Sequence, residues 1–236
     1  MLDQLRCILI KMHEAHKKGN RLSDVILGGQ DGLVSILGLL LGLAAATKST
    51  RIIVAGGLAT IFAETLSMAA VAYTSKMADR DHYAAERKQE IKEVKEVPDI
   101  ERQEIVDIYA AKGFSGKLLD DIVNHITSDH ELWIDTMMRE ELNLLPVIKR
   151  DIYIYSLTVG VSTFSGAFLP LIPFFFLSVH AALAAALILS VVVLAAIGVY
   201  KAKTTLGNPF KSALQMVVIG MGAAIAGYLI GLLFKS

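Results

Sequence analysis

Acidic and thioether side chains at helical spacing are the groups in this chain best suited to chemistry. Glu86, Glu90 and Glu93 stand at i, i+4 and i+7, so they share one helix face. Glu101 and Glu104 are i, i+3, and Met137 and Glu141 are i, i+4. Like charges stacked on one face cost stability unless a cation offsets them. A divalent metal between such faces would do so. The plainer reading is a solvated surface of mixed charge, because Lys88, Lys92, Lys95 and Arg102 lie close by in sequence. Two further acids, Asp31 and Glu64, stand alone in apolar surroundings, and Met68 follows Glu64 by one helical turn. A carboxylate beside a thioether suits a borderline transition metal, since soft sulfur disfavours magnesium and calcium. The competing readings are ordinary packing for Met68 and a structural polar contact for the two acids.

These groups need elements to hold them, and the distribution of charge says which. Of 23 acids, 18 lie between Asp79 and Asp151; the others are Asp3, Glu14, Asp24, Asp31 and Glu64. The mean hydropathy is +0.53, high for a chain that must cover its surface with polar groups. A membrane-spanning helix needs about 20 mostly apolar residues. Five segments meet that requirement: residues 24–46, 52–76, 152–179, 181–200 and 212–234. The expected fold is therefore all-α, a polytopic membrane protein with five transmembrane helices and a cytoplasmic helical metal-binding insert. Its parts are residues 1–23, an amphipathic helix on the membrane surface with Leu5, Ile8, Leu9 and Met12 on one face; residues 24–78, spans one and two; residues 79–151, the insert; and residues 152–236, spans three to five. Pro170 and Pro173 should kink or break the far end of the third span. Gly38/Gly42 and Gly227/Gly231 form two GxxxG pairs, which mark helix–helix or dimer faces.

Basic residues set the expected orientation. With the N-terminus in the cytoplasm and five crossings, the cytoplasmic pieces carry 5, 12 (Lys76 counted with the insert) and 3 Lys plus Arg. The opposite side receives Lys48, Arg51 and Lys235. The insert reads as several short helices. One continues the second span and stops at Pro98; the next is capped by Asp99 and ends at Gly113; another starts at Ser115; the last runs from Asp129 to Leu144.

Other function classes are poorly served. Cys7 is the single cysteine, so no cysteine-built zinc or iron–sulfur site arises within the chain. The 23 basic residues equal the 23 acids, which argues against nucleic acid as a partner. No phosphate loop, nucleophile–base triad or zinc-protease motif is present. A membrane ferroxidase is one alternative, but ferritin-like di-iron bundles need Glu-x-x-His pairs, and His13, His16, His82, His125, His130 and His180 make none. A metal-sensing membrane receptor is another.

The motifs SDVILGGQDGL (Ser23–Leu33), LSMAAVAY (Leu66–Tyr73), DHYAAE (Asp81–Glu86), VPDIERQEI (Val97–Ile105), ELWIDTMMREELNL (Glu131–Leu144) and PLIPFF (Pro170–Phe175) occur in this order. Together they resemble the vacuolar iron transporter family. The resemblance implies a five-helix homodimer with an ion path along the dimer interface, moving Fe²⁺ or Mn²⁺ out of the cytosol in exchange for protons. No prosthetic group is implied; the partners are divalent metal ions, protons and the lipid membrane. It assigns metal contacts to Asp31 and Met68 in the membrane and to Glu90, Glu93, Glu101, Glu104, Met137 and Glu141 in the insert. One departure stands out. The family's second-helix carboxylate falls at Thr60, two turns before Met68, whereas this chain carries Glu64, one turn before it.

Overall fold

The computed structural model describes residues 2–204 and 207–234, with side chains from Leu22 onward. All its elements are helical, in the order α1 Leu2–Ala46, α2 Thr50–Glu96, α3 Pro98–Ala111, α4 Gly116–Thr127, α5 His130–Thr136, a π turn Met137–Glu141, α6 Lys149–Leu171, a 3-10 turn Ile172–Phe175, α7 Val179–Thr204 and α8 Pro209–Leu233. Among the described residues five helices are long and apolar enough to cross a membrane: α1 over Leu22–Ala46, then α2, α6, α7 and α8. α1 runs unbroken through residue 23. The amphipathic face expected on residues 1–23 lies outside the described side chains.

The chain divides into two compact units, residues 1–73 with 153–236, and residues 74–152. The first is the apolar one. Its core gathers Ile36, Leu37, Leu40, Ile53, Ile61, Ala167, Leu171 and Phe174, all almost fully buried. The two GxxxG pairs pack against each other inside this unit. A Cβ added at Gly227 would collide with the Gly38 carbonyl, and one at Gly231 with the Gly42 carbonyl. Only glycine permits that backbone approach of α1 to α8, so the motif that could have marked a dimer face marks an intrachain one. The prolines act as expected. Pro170 sits in the last turn of α6, and Pro173 opens the 3-10 turn that replaces the helix.

The second unit holds the polar segment. Its core is Val94, Ile105, Val123, Ile126, Trp133, Ile134, Met137 and Met138. α2 ends at Glu96 because Pro98 cannot donate to continue the ladder. The α3 N-cap is Val97, not Asp99, because Pro98 fits the first helical position with its fixed φ and missing N–H. Asp99 and Glu101 fall in the first turn, where anions oppose the helix dipole favourably. Ser115 precedes α4, and Asp129 caps α5 by accepting from the Glu131 and Leu132 amides at 3.0 and 3.2 Å.

The continuous helix expected over Asp129–Leu144 is not formed. After Thr136 the chain widens into the π turn, closed by the Leu142 amide on the Met137 carbonyl at 3.2 Å. The widened turn accommodates two consecutive large residues, Met137 and Met138, both fully buried. Such single π turns recur at functional sites.

Candidate metal centre

Three short elements of the second unit bring the insert glutamates together. The end of α2 carries Glu90 and Glu93, the start of α3 carries Glu101 and Glu104, and the π turn ends on Glu141. Glu90, Glu93 and Glu101 each place one carboxylate oxygen so that the three lie within 4.8 Å of one another. Glu90 and Glu101 are only 5% and 4% exposed. Their Oε2 atoms are buried and have no hydrogen-bond partner. A buried carboxylate oxygen left in this state carries a desolvation cost that a cation would remove.

Basic side chains do not supply that compensation. Among the described residues the ion pairs lie elsewhere: Arg87 with Glu131 and Asp135, Lys92 with Glu96, Lys112 with Glu140, Lys76 with Asp79, and His82 with Glu86. Arg102 donates to Asn124 at 2.6 Å. None of these pairs involves Glu90, Glu93, Glu101, Glu104 or Glu141. The fold thus takes Glu90 and Glu101 out of a solvated face of mixed charge, while Glu93 and Glu104 are half-buried and Glu141 is exposed. Glu86, on the same stripe by spacing, is drawn to His82 at 3.6 Å instead.

The electrostatics follow from that geometry. Burial pushes the Glu90 carboxyl up to about 7, with further upward pushes from the charges of Glu141, Glu101, Glu93 and Glu104. Burial likewise raises Glu101 to about 7, aided by Glu104, Glu93 and Glu141. Glu141 is raised chiefly by burial, then by Glu104 and Glu93, and by a hydrogen bond with Glu104. Oxygen atoms from several carboxylates make a donor set for a hard or borderline dication. Met137 is fully buried in the apolar cluster of this unit. Gln89, which spacing alone did not single out, donates to Glu93 Oε1 at 2.6 Å and fixes that carboxylate. Its i, i+4 spacing to Glu93 was the available signal.

In the apolar unit, Asp31 is exposed and Glu64 half-buried. Glu64 lies near Ser35 and Asp31 of α1. Its Oε2 is buried without a partner. Met68, one turn further along α2, is half-buried, as is Thr60.

The profile of the VIT family matches residues 22–232. The chain belongs to the VIT family. It is 34% identical over 229 residues to Vacuolar iron transporter 1 of Eucalyptus grandis, covering 96% of this chain and 92% of the relative. It is 31% identical to Vacuolar iron transporter 2 of Oryza sativa subsp. japonica, covering 96% and 93%. Similarity extends to the Vacuolar iron transporter of Plasmodium berghei, at 29% identity over 229 residues. The family match spans both units, so the glutamate cluster and the apolar helices carrying Asp31 and Glu64 fall inside it.

Proposed function

We propose that this chain is a multi-pass membrane transporter that moves ferrous iron, and Mn²⁺ as a second cargo, out of the cytosol. Iron is the metal named for its relatives, which are transporters by name and not enzymes. The relatives' names also favour a vacuolar or other organelle membrane. The N-terminus and residues 79–151 face the cytosol, with twenty Lys plus Arg on that side against three on the other.

One observation carries this reading: three carboxylates of the polar unit converge within 4.8 Å, two of them with a buried and unpartnered oxygen, and none has a basic partner. In the proposed sequence, Glu90, Glu93, Glu101, Glu104 and Glu141 capture the ion, with Met137, four residues before Glu141, as the sulfur donor. The ion then moves to Glu64 and Met68, and to Asp31. Glu64 takes the part that the family assigns to the position of Thr60.

Proton exchange follows from the same groups. With Glu90 and Glu101 near 7, a proton resides on the cluster for much of the time at neutral pH, and a dication must displace it. A path carboxylate that gives up its proton as metal arrives couples the two fluxes in opposite directions. A homodimer is favoured by the exposure of Asp31, since a carboxylate facing lipid is costly and a second copy would cover it. α2 supports this as well: 17% of its apolar stretch is buried, the lowest of the five spans, against 22% for α8, 28% for α7, 39% for α1 and 44% for α6.

The test is Fe²⁺ uptake into proteoliposomes with a pH dye in the lumen. The expected result is metal entry accompanied by lumenal alkalinisation, with both lost in Asp31→Asn and Glu64→Gln. Intact flux in those variants overturns the path. Metal entry without a proton signal overturns the exchange.

A further inference from the structure

We propose that Gln89 is a positioning residue of the glutamate cluster: its amide holds the Glu93 carboxylate for a dication and leaves the negative charge of that carboxylate uncancelled. This rests on the reading that Glu93 is a metal ligand of the insert.

The contact is direct. Gln89 Nε2 donates to Glu93 Oε1 at 2.6 Å, from one helical turn earlier on α2. Glu93 is one of the three acids whose carboxylate oxygens lie within 4.8 Å of one another. It is half-buried, whereas Glu90 and Glu101 are buried, so the walls around it hold its side chain less firmly. A carboxylate accepts about four hydrogen bonds, and one amide donor leaves capacity for a metal.

The donor is also neutral, and its surroundings show why that matters. Residues three and four positions away on a helix are the ones that pair with an acid. Around Glu93 these are Gln89, Glu90, Glu96 and Val97, none of them basic. Acids of α2 outside the cluster differ. Glu86 has His82 four residues before it at 3.6 Å, and Glu96 has Lys92 at 3.7 Å. Lysines are nonetheless close, since Lys88, Lys92 and Lys95 line one groove together with Gln89. Gln89 is the member of that groove that bonds to the cluster.

Glu90 is spared in another way. Arg87, three residues before it, is drawn to Glu131 of α5 at 2.5 Å and lies 4.0 Å from Asp135. A lysine or arginine on these carboxylates would offset the charge that attracts a metal and would occupy the same oxygens. A partner that orients a ligand without discharging it is what an outer contact of a metal site must supply.

The experiment titrates the detergent-solubilised full-length protein with Co²⁺ at pH 7 by calorimetry and records its metal-free melting temperature. The variants are Gln89→Ala, Gln89→Lys, Glu93→Gln and Gln89→Lys/Glu93→Gln. Gln89→Ala should weaken binding about tenfold, the scale seen when a hydrogen-bond partner of a ligand is removed. Gln89→Lys should weaken it further, because the ammonium pairs with Glu93. Its metal-free melting temperature should hold or rise, because the same pair relieves the repulsion within the cluster. Once Glu93→Gln is present, Gln89→Lys should add less than about twofold.

Unchanged affinity in both Gln89 variants, with binding weakened in Glu93→Gln, overturns the role of Gln89 alone. Full affinity in Glu93→Gln overturns the underlying reading of Glu93 as a ligand. A Gln89→Lys protein that binds at least as well as Gln89→Ala, or that loses melting temperature along with affinity, overturns the proposal. A large further loss in the double variant also overturns it, because the lysine would then act without Glu93.

Discussion

Glu90 and Glu101 are closed in by α2, α3 and the π turn of their own unit, 5% and 4% exposed, whereas Asp31 is exposed and Glu64 only half-buried. Both sets leave carboxylate oxygens buried without partners. They differ in who finishes the site. The insert cluster has three carboxylate oxygens converging from one chain. The intramembrane pair offers two acids and one methionine a helical turn from Glu64, with one acid open to its surroundings. Duplication across a homodimer would close it. On the proposed path, the contrast suits a capture site that must bind ions from dilute solution and a transit site that must release them.

The largest effect should come from the capture site. Glu101→Gln removes a buried charge and a ligand, and should weaken Co²⁺ or Fe²⁺ binding by about 100-fold, the scale of one charged contact of about 3 kcal/mol. Calorimetric titration of the detergent-solubilised protein reads this directly. Asp31→Asn should separate the two sites. It should cut transport by more than about tenfold while leaving binding at the insert within about twofold, as effects at independent sites add.

The pH dependence has a definite sign. Glu90 and Glu101 titrate near 7, above the ordinary carboxylate value of 4.5. Below 7 protons compete with metal, so affinity should fall by about tenfold per pH unit for each proton displaced. The metal-free protein should behave in the opposite sense. A raised carboxyl pKa contributes stability that is fully present below the unfolded value and is lost as pH rises through the folded one. The melting temperature without metal should therefore drop between pH 5 and pH 8, and metal should restore it at the upper end. A flat profile would mean that the two glutamates are already ionised and matched. The smallest effect is expected from Glu86→Gln. Glu86 shares a stripe with Glu90 but is paired with His82, so metal binding should change by less than about twofold.

That last pair shows where the sequence stops being informative. Helical spacing puts Glu86, Glu90 and Glu93 on one face, and it puts lysines nearby. Which acid is buried depends on what α3 packs against, and spacing carries no information about that. The five apolar helices were readable because a span must be long and uniformly apolar, and the acids concentrate in one segment. The π turn was not, because a 3.6-residue period cannot register one extra residue until Met137 and Met138 are seen buried side by side. Two GxxxG pairs were visible, but that they are each other's partners is a property of how α1 and α8 meet.

The most direct test of metal capture by the glutamate cluster is an anomalous-scattering map from crystals soaked in Fe²⁺ or Co²⁺. The expected map has a peak at about 2.0–2.2 Å from oxygens of Glu90, Glu93 and Glu101. A map with no peak there, and with these carboxylates satisfied by lysine or arginine side chains, would contradict it.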